Sequence, residues 1–499
     1  MNRRQFLALS TSATAAVLFG GYYFLKSDAI SNTQQRDRSQ DGLLDLELTA
    51  SYNKVSLGNQ PAYLLNYNQQ VPGPILEAKP GDTVRIRFTN RLSESTNLHY
   101  HGLHVSPTGN ADNIFIEVPS QESFTYEFQI PSNHPAGLFW YHPHYHGLVA
   151  SQVAGGLAGL FVVRGELDEI PVVKAATEEF LVLQDFSLGN NNRLVAPNHM
   201  SRMLGREGNV ITGNGSVNPQ LTIPQGGWLR LRLLNASPSR FYRLSLQEHP
   251  FYVIATDGGA VTEPIEMSEL LLSPGERVDV LIPGNRQPGE YRLLNLPYDR
   301  GSMGMMGGGM MDGGMMGRGR HHRGEQNQQA SAQTIATVTY SRESYQNQSP
   351  QKLPEKLIPG ESLPEASNVR RFTLNHGMEP GMGMAFLING RAFSGSRIDT
   401  QVALNSVEDW EIRNIGGMDH PFHIHTNPFQ IISRQGVSGH PGILPVQSDR
   451  YWKDVVLVRS GETVRIRTHF QDFAGKAVYH CHILDHEDLG MMGTIHMQA

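Results

Sequence analysis

Apolar and polar residues alternate in short runs along most of the chain. Clear cases are "GDTVRIRFTN" (81–90), "SFTYEFQI" (123–130), "WLRLRLLN" (228–235), "RVDVLI" (277–282) and "ETVRIRTHF" (462–470). A period of two sends successive side chains to opposite faces of a strand, and Gly, Pro and Asn at the borders mark turns. Long windows with helical period are scarce. The pattern therefore predicts an all-β chain, and the spacing of the runs fits Greek-key sandwiches.

The runs also repeat. "GPILEAKPGDTVRIRFTNRL" near residue 73 is echoed by "NPQLTIPQGGWLRLRLLNAS" near 218 and more faintly by "TQVALNSVEDWEIRNIGG" near 400. A second echo pairs "LLLSPGERVDVLI" (270–282) with "VVLVRSGETVRIR" (455–467). Three copies of one sandwich fill the chain at ordinary domain sizes. The expected division is residues 41–168, 169–350 and 351–499, with a Met/Gly-rich insertion at 301–323 in the second copy. A Gln-, Pro- and Glu-rich linker spans 345–367.

The first forty residues stand apart. "MNRRQFLALSTSATAAVLFGGYYFLK" carries a twin arginine, Arg3 and Arg4, before an apolar stretch. This reads as a twin-arginine export signal, so the expected location is the periplasm and an expected partner is the twin-arginine translocation machinery. The apolar run, about twenty residues long, also fits a retained membrane anchor. An oxidising compartment permits disulfides, yet the chain has one cysteine, Cys481, and can form none internally. The net charge of −6 offers no basic surface for nucleic acid.

Histidines supply the chemistry. Four pairs occur at spacing two: His99 and His101, His142 and His144, His423 and His425, His480 and His482. Each pair would project from one face of its strand, two pairs from the first sandwich and two from the third. Eight converging imidazoles make sense only around metal, and three ions sharing them as three, three and two would use them all. Cys481, between His480 and His482, would then face the other way, where His420, His486 and Met491 are at hand. One thiolate, two imidazoles and a weak axial thioether form the ligand set of a blue-copper electron-transfer site.

The strings "HYHG", "YHPH", "HPFHIH" and "HCHILDHEDLGMM" together resemble the copper motifs of the multicopper oxidases, the family of laccases, ascorbate oxidase and bacterial cuprous oxidases. The resemblance covers roughly residues 45–499 and implies three cupredoxin-like domains and four copper ions. It implies a type 1 copper at His420, Cys481, His486 and Met491, and a type 2 copper at His99 and His423. The two type 3 coppers would be held by His101, His142 and His482, and by His144, His425 and His480. Tyr100 stands where many members have tryptophan. The implied reaction moves electrons singly from a reducing substrate to the type 1 site and reduces dioxygen to water. Metal-bound imidazoles are poor proton donors, so a carboxylate relay is expected. Asp112 and Glu487 fall where the family places one.

The substrate is read from sulfur. Met303, Met305, Met306, Met310, Met311, Met315 and Met316 crowd a glycine-rich stretch, and soft thioethers select Cu(I). Met418 and Asp419, directly before His420, are expected to add a donor-ion site. Met378, Met382 and Met384 either join it or pack in the core. The expected task is Cu(I) oxidation in copper tolerance. The alternatives are laccase-like oxidation of phenols or aromatic amines, Mn(II) or Fe(II) oxidation, and a non-catalytic copper-sequestering role.

Overall fold

Each copy of the repeated stretch crosses from one sheet of a sandwich to the other. The computed structural model describes residues 34–302, 331–341, 352–379, 381, 383–446 and 451–499. In it, strands Ile75–Ala78, Gln220–Pro224 and Thr400–Ala403 each lie in one sheet of a pair. The strands that follow, Thr83–Asn90, Trp228–Asn235 and Ser406–Asn414, lie in the facing sheets. The second echo behaves in the same way, with Leu270–Leu272 and Val455–Val458 in one sheet and Arg277–Pro283 and Thr463–Phe470 in the other. Repetition in sequence is thus repetition of one crossover.

The result is all-β, as expected: three sandwiches whose paired sheets have five and four, six and five, and five and five strands. Their strands run from Arg36 to Val163, Thr177 to Ser341 and Asn368 to Gln498. Among the described residues no helix is long and apolar enough to cross a membrane. The twin-arginine stretch and the methionines from Met303 to Met316, with Met382, lie outside the described residues.

Two features of this fold position the chemistry. In the third sandwich, strands His420–Ile424 and Gly475–Cys481 are antiparallel neighbours, with Phe422 opposite Cys481 and His423 opposite His480. In the first, His99–His101 pairs with Gly137–His142, setting His99 opposite His142. Period two then carries on past the strand ends, to His425 and His482 one residue beyond and His144 two residues beyond. The short helix Leu484–Asp488 follows Cys481 directly and packs against Val149–Gly155 of the first sandwich. The Asp488 carboxylate accepts from the N–H groups of Gly147 and Ala150 at 2.8 and 2.9 Å. It satisfies amides that a helix start leaves free, and it bolts the outer sandwiches together.

Trp410 anchors the core beneath this strand pair. It is fully buried against Phe372, Phe470 and Tyr479, in the same cluster as Cys481. Trp410→Ala removes that packing and leaves the Glu408 carboxylate without the indole N–H that it accepts at 2.9 Å. The expected cost is about 3–5 kcal/mol, read as a lower urea midpoint.

Candidate metal centres

The eight paired histidines gather at the boundary of the first and third sandwiches, each no more than 2% exposed. Rings from the two sandwiches interleave: His99 stacks on His425 and His101 on His423, both with centroids 3.9 Å apart. Rings of one pair also lie close, His480 and His482 at 5.6 Å.

Second nitrogens decide which atom each ring presents. His142, His423 and His480 donate from Nδ1 to the carbonyls of Pro143, Asp454 and Cys481 at 2.9, 2.7 and 3.0 Å, so their Nε2 atoms are bare acceptors. His99 Nδ1 lies 2.9 Å from Asp112. The freed Nε2 atoms of His99, His142 and His423 are buried with no hydrogen-bond partner, as are both nitrogens of His482. His144, His425 and His480 bring their Nε2 atoms together at 3.1 to 3.2 Å. Unpartnered lone pairs buried away from solvent are costly unless a cation takes them, so this donor set fits bound metal. His101 is the exception: its Nε2 faces Asp454 at 3.1 Å, and Nδ1 is the orphan.

Burial, and repulsion from neighbouring rings, hold seven of these imidazoles neutral. His142 is lowered to about 3 and His144 to about 4, while His99, His101, His423, His425 and His482 fall well below the ordinary 6.5. Neutral imidazole is the form that ligates metal.

The second centre lies on the other face of the Gly475–Cys481 strand. Cys481 Sγ is 3.5 Å from His420 Nδ1 and 4.0 Å from His486 Nδ1, and those two nitrogens are 3.4 Å apart. Met491 is fully buried beside them; its carbonyl accepts from the Cys481 N–H and its own N–H donates to the His486 carbonyl. Burial drives the thiol far above its usual range, so losing its proton requires a cation at this point. His420, Cys481 and His486 thus form one potential metal site, and His144, His425 and His480 another.

Two carboxylates flank the eight rings with opposite tendencies. Burial pushes Asp112 up to about 8 despite the Tyr100 N–H that it accepts. Glu487 is also buried, yet the nearby His144 and His480 bring it down to about 2; its Oε2 lies 3.1 Å from His480 Nδ1. Carboxyls pushed apart in this way suit separate acid and base duties.

Met418 and Asp419 meet a closed surface. Met418 is 2% exposed, and both Asp419 oxygens are engaged, by the Tyr298 hydroxyl at 2.6 Å and the Ser460 N–H at 2.8 Å. Met378 and Met384, by contrast, face each other across a hairpin and are 73% and 37% exposed, so they are not core residues.

Sequence reading missed several residues that shape the site. Trp140 stacks on His142 at 4.1 Å, Asp454 touches His101 and His423, and the Met203 carbonyl accepts from His486 Nε2–H at 3.2 Å. Asp454 sits in "YWKDVV", an unremarkable strand start, and the Met203 contact needs a neighbouring sandwich. Neither has a signal at local spacing.

A fold of three cupredoxin-type sandwiches with one Cys/His/Met centre behind a buried cluster of eight histidines defines an oxygen-using copper oxidoreductase. Profiles described as multicopper oxidase match residues 49–168, 177–307 and 364–498, and the chain belongs to that family. It is similar to a solved multicopper oxidase of Campylobacter jejuni, described as a metallo-oxidase, at 30% identity and a TM-score of 0.77, covering 93% of this chain and 94% of that one. A multicopper oxidase of Staphylococcus haemolyticus is 29% identical over 92% of this chain and 89% of its own. The cell division protein FtsP of Yersinia pestis is 27% identical over 99% of this chain and 98% of its own.

Two outcomes are expected. Asp112→Asn should slow dioxygen reduction with the visible copper–thiolate absorption intact. It should also erase the alkaline limb of the rate, which in the parent falls as Asp112 loses its proton at or below about pH 8, bound cations drawing the value down. Second, rings that stay neutral when folded but take protons when unfolded make the unfolded state bind more protons below pH 6.5. Metal-free protein should therefore lose stability as pH falls from 6.5 towards about 3, and copper should oppose the loss. Denaturant titrations across that range check the sign.

Proposed function

We propose that this oxidase takes its electrons from Cu(I), as part of copper tolerance in the periplasm. In this reading the ligands divide as the family motifs imply, with one type 1, one type 2 and two type 3 coppers. Copper supplies the one-electron redox chemistry at both centres. His420, Cys481 and His486 would hold the electron-accepting copper, and the Cys481 backbone would link it covalently to His480 and His482, one residue to either side, which would hold copper of the cluster. Asp112 and Glu487 handle the protons: four electrons and four protons convert dioxygen to two waters. Export through the twin-arginine machinery is part of the same reading and rests on Arg3 and Arg4.

The observation that carries the Cu(I) assignment is where the methionine-rich stretch is attached. Its base is pinned to the segment that leads into His420. The Ser302 N–H donates to the Gly417 carbonyl at 3.1 Å, and the Asp419 N–H donates to the Arg300 carbonyl at 2.8 Å. Gly301 bridges to Met418 with φ of +82°, and a Cβ there would lie 2.2 Å from the Gly417 oxygen. The chain thus leaves for residues 303–316 from a point bonded to Gly417 and Asp419, the residues that precede His420. Two exposed thioethers add to this. The Met378–Met384 hairpin continues through His376 and Phe386, and Phe386 stacks on His486 at 3.7 Å.

Access also favours a small donor. His420 and His486 are 1% and 0% exposed, and the outer N–H of His486 is taken by Met203. A phenol or aromatic amine needs an open imidazole edge to lie against, and the fold covers it. Sequestration without catalysis leaves the complete donor sets at both centres without a purpose.

Deleting residues 303–316 should lower Cu(I) oxidation severalfold with the blue absorption retained. Phenol oxidation should stay level or rise. Equal losses for both donors would refute recruitment by this stretch.

A further inference from the structure

Gly102, which closes the "HYHG" string, has φ of +86°. A Cβ on it would lie 2.3 Å from Arg277 Nη2 and 2.4 Å from Asp454 Oδ2. The main chain just after His101 is thus pressed against an ion pair formed by the second and third sandwiches. Arg277 grips both oxygens of Asp454, Nη1 to Oδ1 at 2.7 Å and Nη2 to Oδ2 at 2.5 Å. Its other donors reach the carbonyls of Leu138, Gly275 and Asp257. The guanidinium is wholly buried and fully satisfied, and it touches all three sandwiches.

Asp454 in turn touches two rings. Its Oδ1 is 3.1 Å from His101 Nε2, and its carbonyl accepts from His423 Nδ1 at 2.7 Å. These two rings are stacked, and one belongs to the first sandwich and the other to the third. The Asp454 carboxylate also lies close enough to His101 and His423 to join them around a metal ion.

We infer that the Arg277–Asp454 pair is a positioning device for the histidine cluster, operated by the sandwich to which no copper ligand is assigned. Arg277 occupies both carboxylate oxygens and so withholds Asp454 from the metal. Held as an acceptor, Asp454 takes the proton-bearing Nε2 of His101 and turns Nδ1 inward, opposite to His142 and His423. A bidentate guanidinium–carboxylate fork has the fixed plane that this requires, which an ammonium lacks. The same turn of the second sandwich also braces His482: a Cβ on Gly275 would lie 2.9 Å from that ring. The inference rests on assigning the eight histidines to copper, but not on which donor is oxidised.

The test begins on metal-free full-length protein with isotope-labelled histidines, whose ring-nitrogen NMR shifts report tautomers. His101 should be protonated at Nε2 and bare at Nδ1, with His142 and His423 reversed; a His101 protonated at Nδ1 overturns the inference without any variant. In Asp454→Asn and Arg277→Lys, the His101 tautomer should become mixed. Affinity of the cluster for copper should drop about 10- to 100-fold in chelator competition, with a shifted type 2 electron-spin resonance signal. The blue absorption should remain, showing a folded third sandwich. An unchanged tautomer and cluster affinity, or parallel loss of blue and cluster copper, would make the pair merely structural. Should Asp454→Asn fail to fold, Arg277→Lys and the parent spectrum still decide.

Discussion

One strand register carries the chemistry of this molecule. Phe422 stands opposite Cys481 and His423 opposite His480, so neighbouring rungs of a single ladder serve centres on opposite faces of a sheet. Side chains alternate with period two, and a slip of one residue would turn the sulfur towards the histidine cluster and the imidazoles away from it. Nothing downstream tolerates such a slip. The short helix Leu484–Asp488 hangs directly from this strand and delivers both His486 and Glu487 to their places. The register is held by a core that includes Phe422, Trp410 and Tyr479, so hydrophobic packing sets the geometry of the metal ligands.

The second constraint is desolvation. Eight buried imidazoles would repel one another if charged, and burial holds rings such as His99 and His423 neutral. Each anchored ring spends one nitrogen on a carbonyl or carboxylate and keeps the other bare. Orientation is therefore decided by neighbours outside the cluster, chiefly the carbonyls of Pro143, Asp454 and Cys481 and the carboxylates of Asp112 and Asp454. The middle sandwich enters here as well. Through Arg277 and Gly275 it touches the cluster, and through Met203 it covers His486.

Much of this was legible in the sequence, for reasons that differ by residue. Strand alternation and the crossover repeat are local patterns, so the three-sandwich architecture followed from them. The H-x-H pairs were legible because spacing two has one geometric meaning on a strand, even though three of the pairs run past the strand end. Cys481 was legible by the same alternation, as a lone thiol between two histidines and so on the opposite face from them. The inverted ring of His101 was not, because it depends on Asp454, 353 residues away, and on an arginine from another sandwich. The enclosure of Met418 and Asp419 was missed for the same reason, since Tyr298 and Ser460 come from distant segments.

The histidine cluster draws two pairs from each outer sandwich, and the Asp488 carboxylate fastens the same two bodies. Binding energy released at the cluster is therefore shared across a joint between modules, and neither half can collect it alone. Ion capture then acts as a thermodynamic weld: it adds to the apolar core shared by the second and third sandwiches a further reason for the loaded chain to unfold in unison. Each ion bound there would tighten a cooperativity that the apolar core begins.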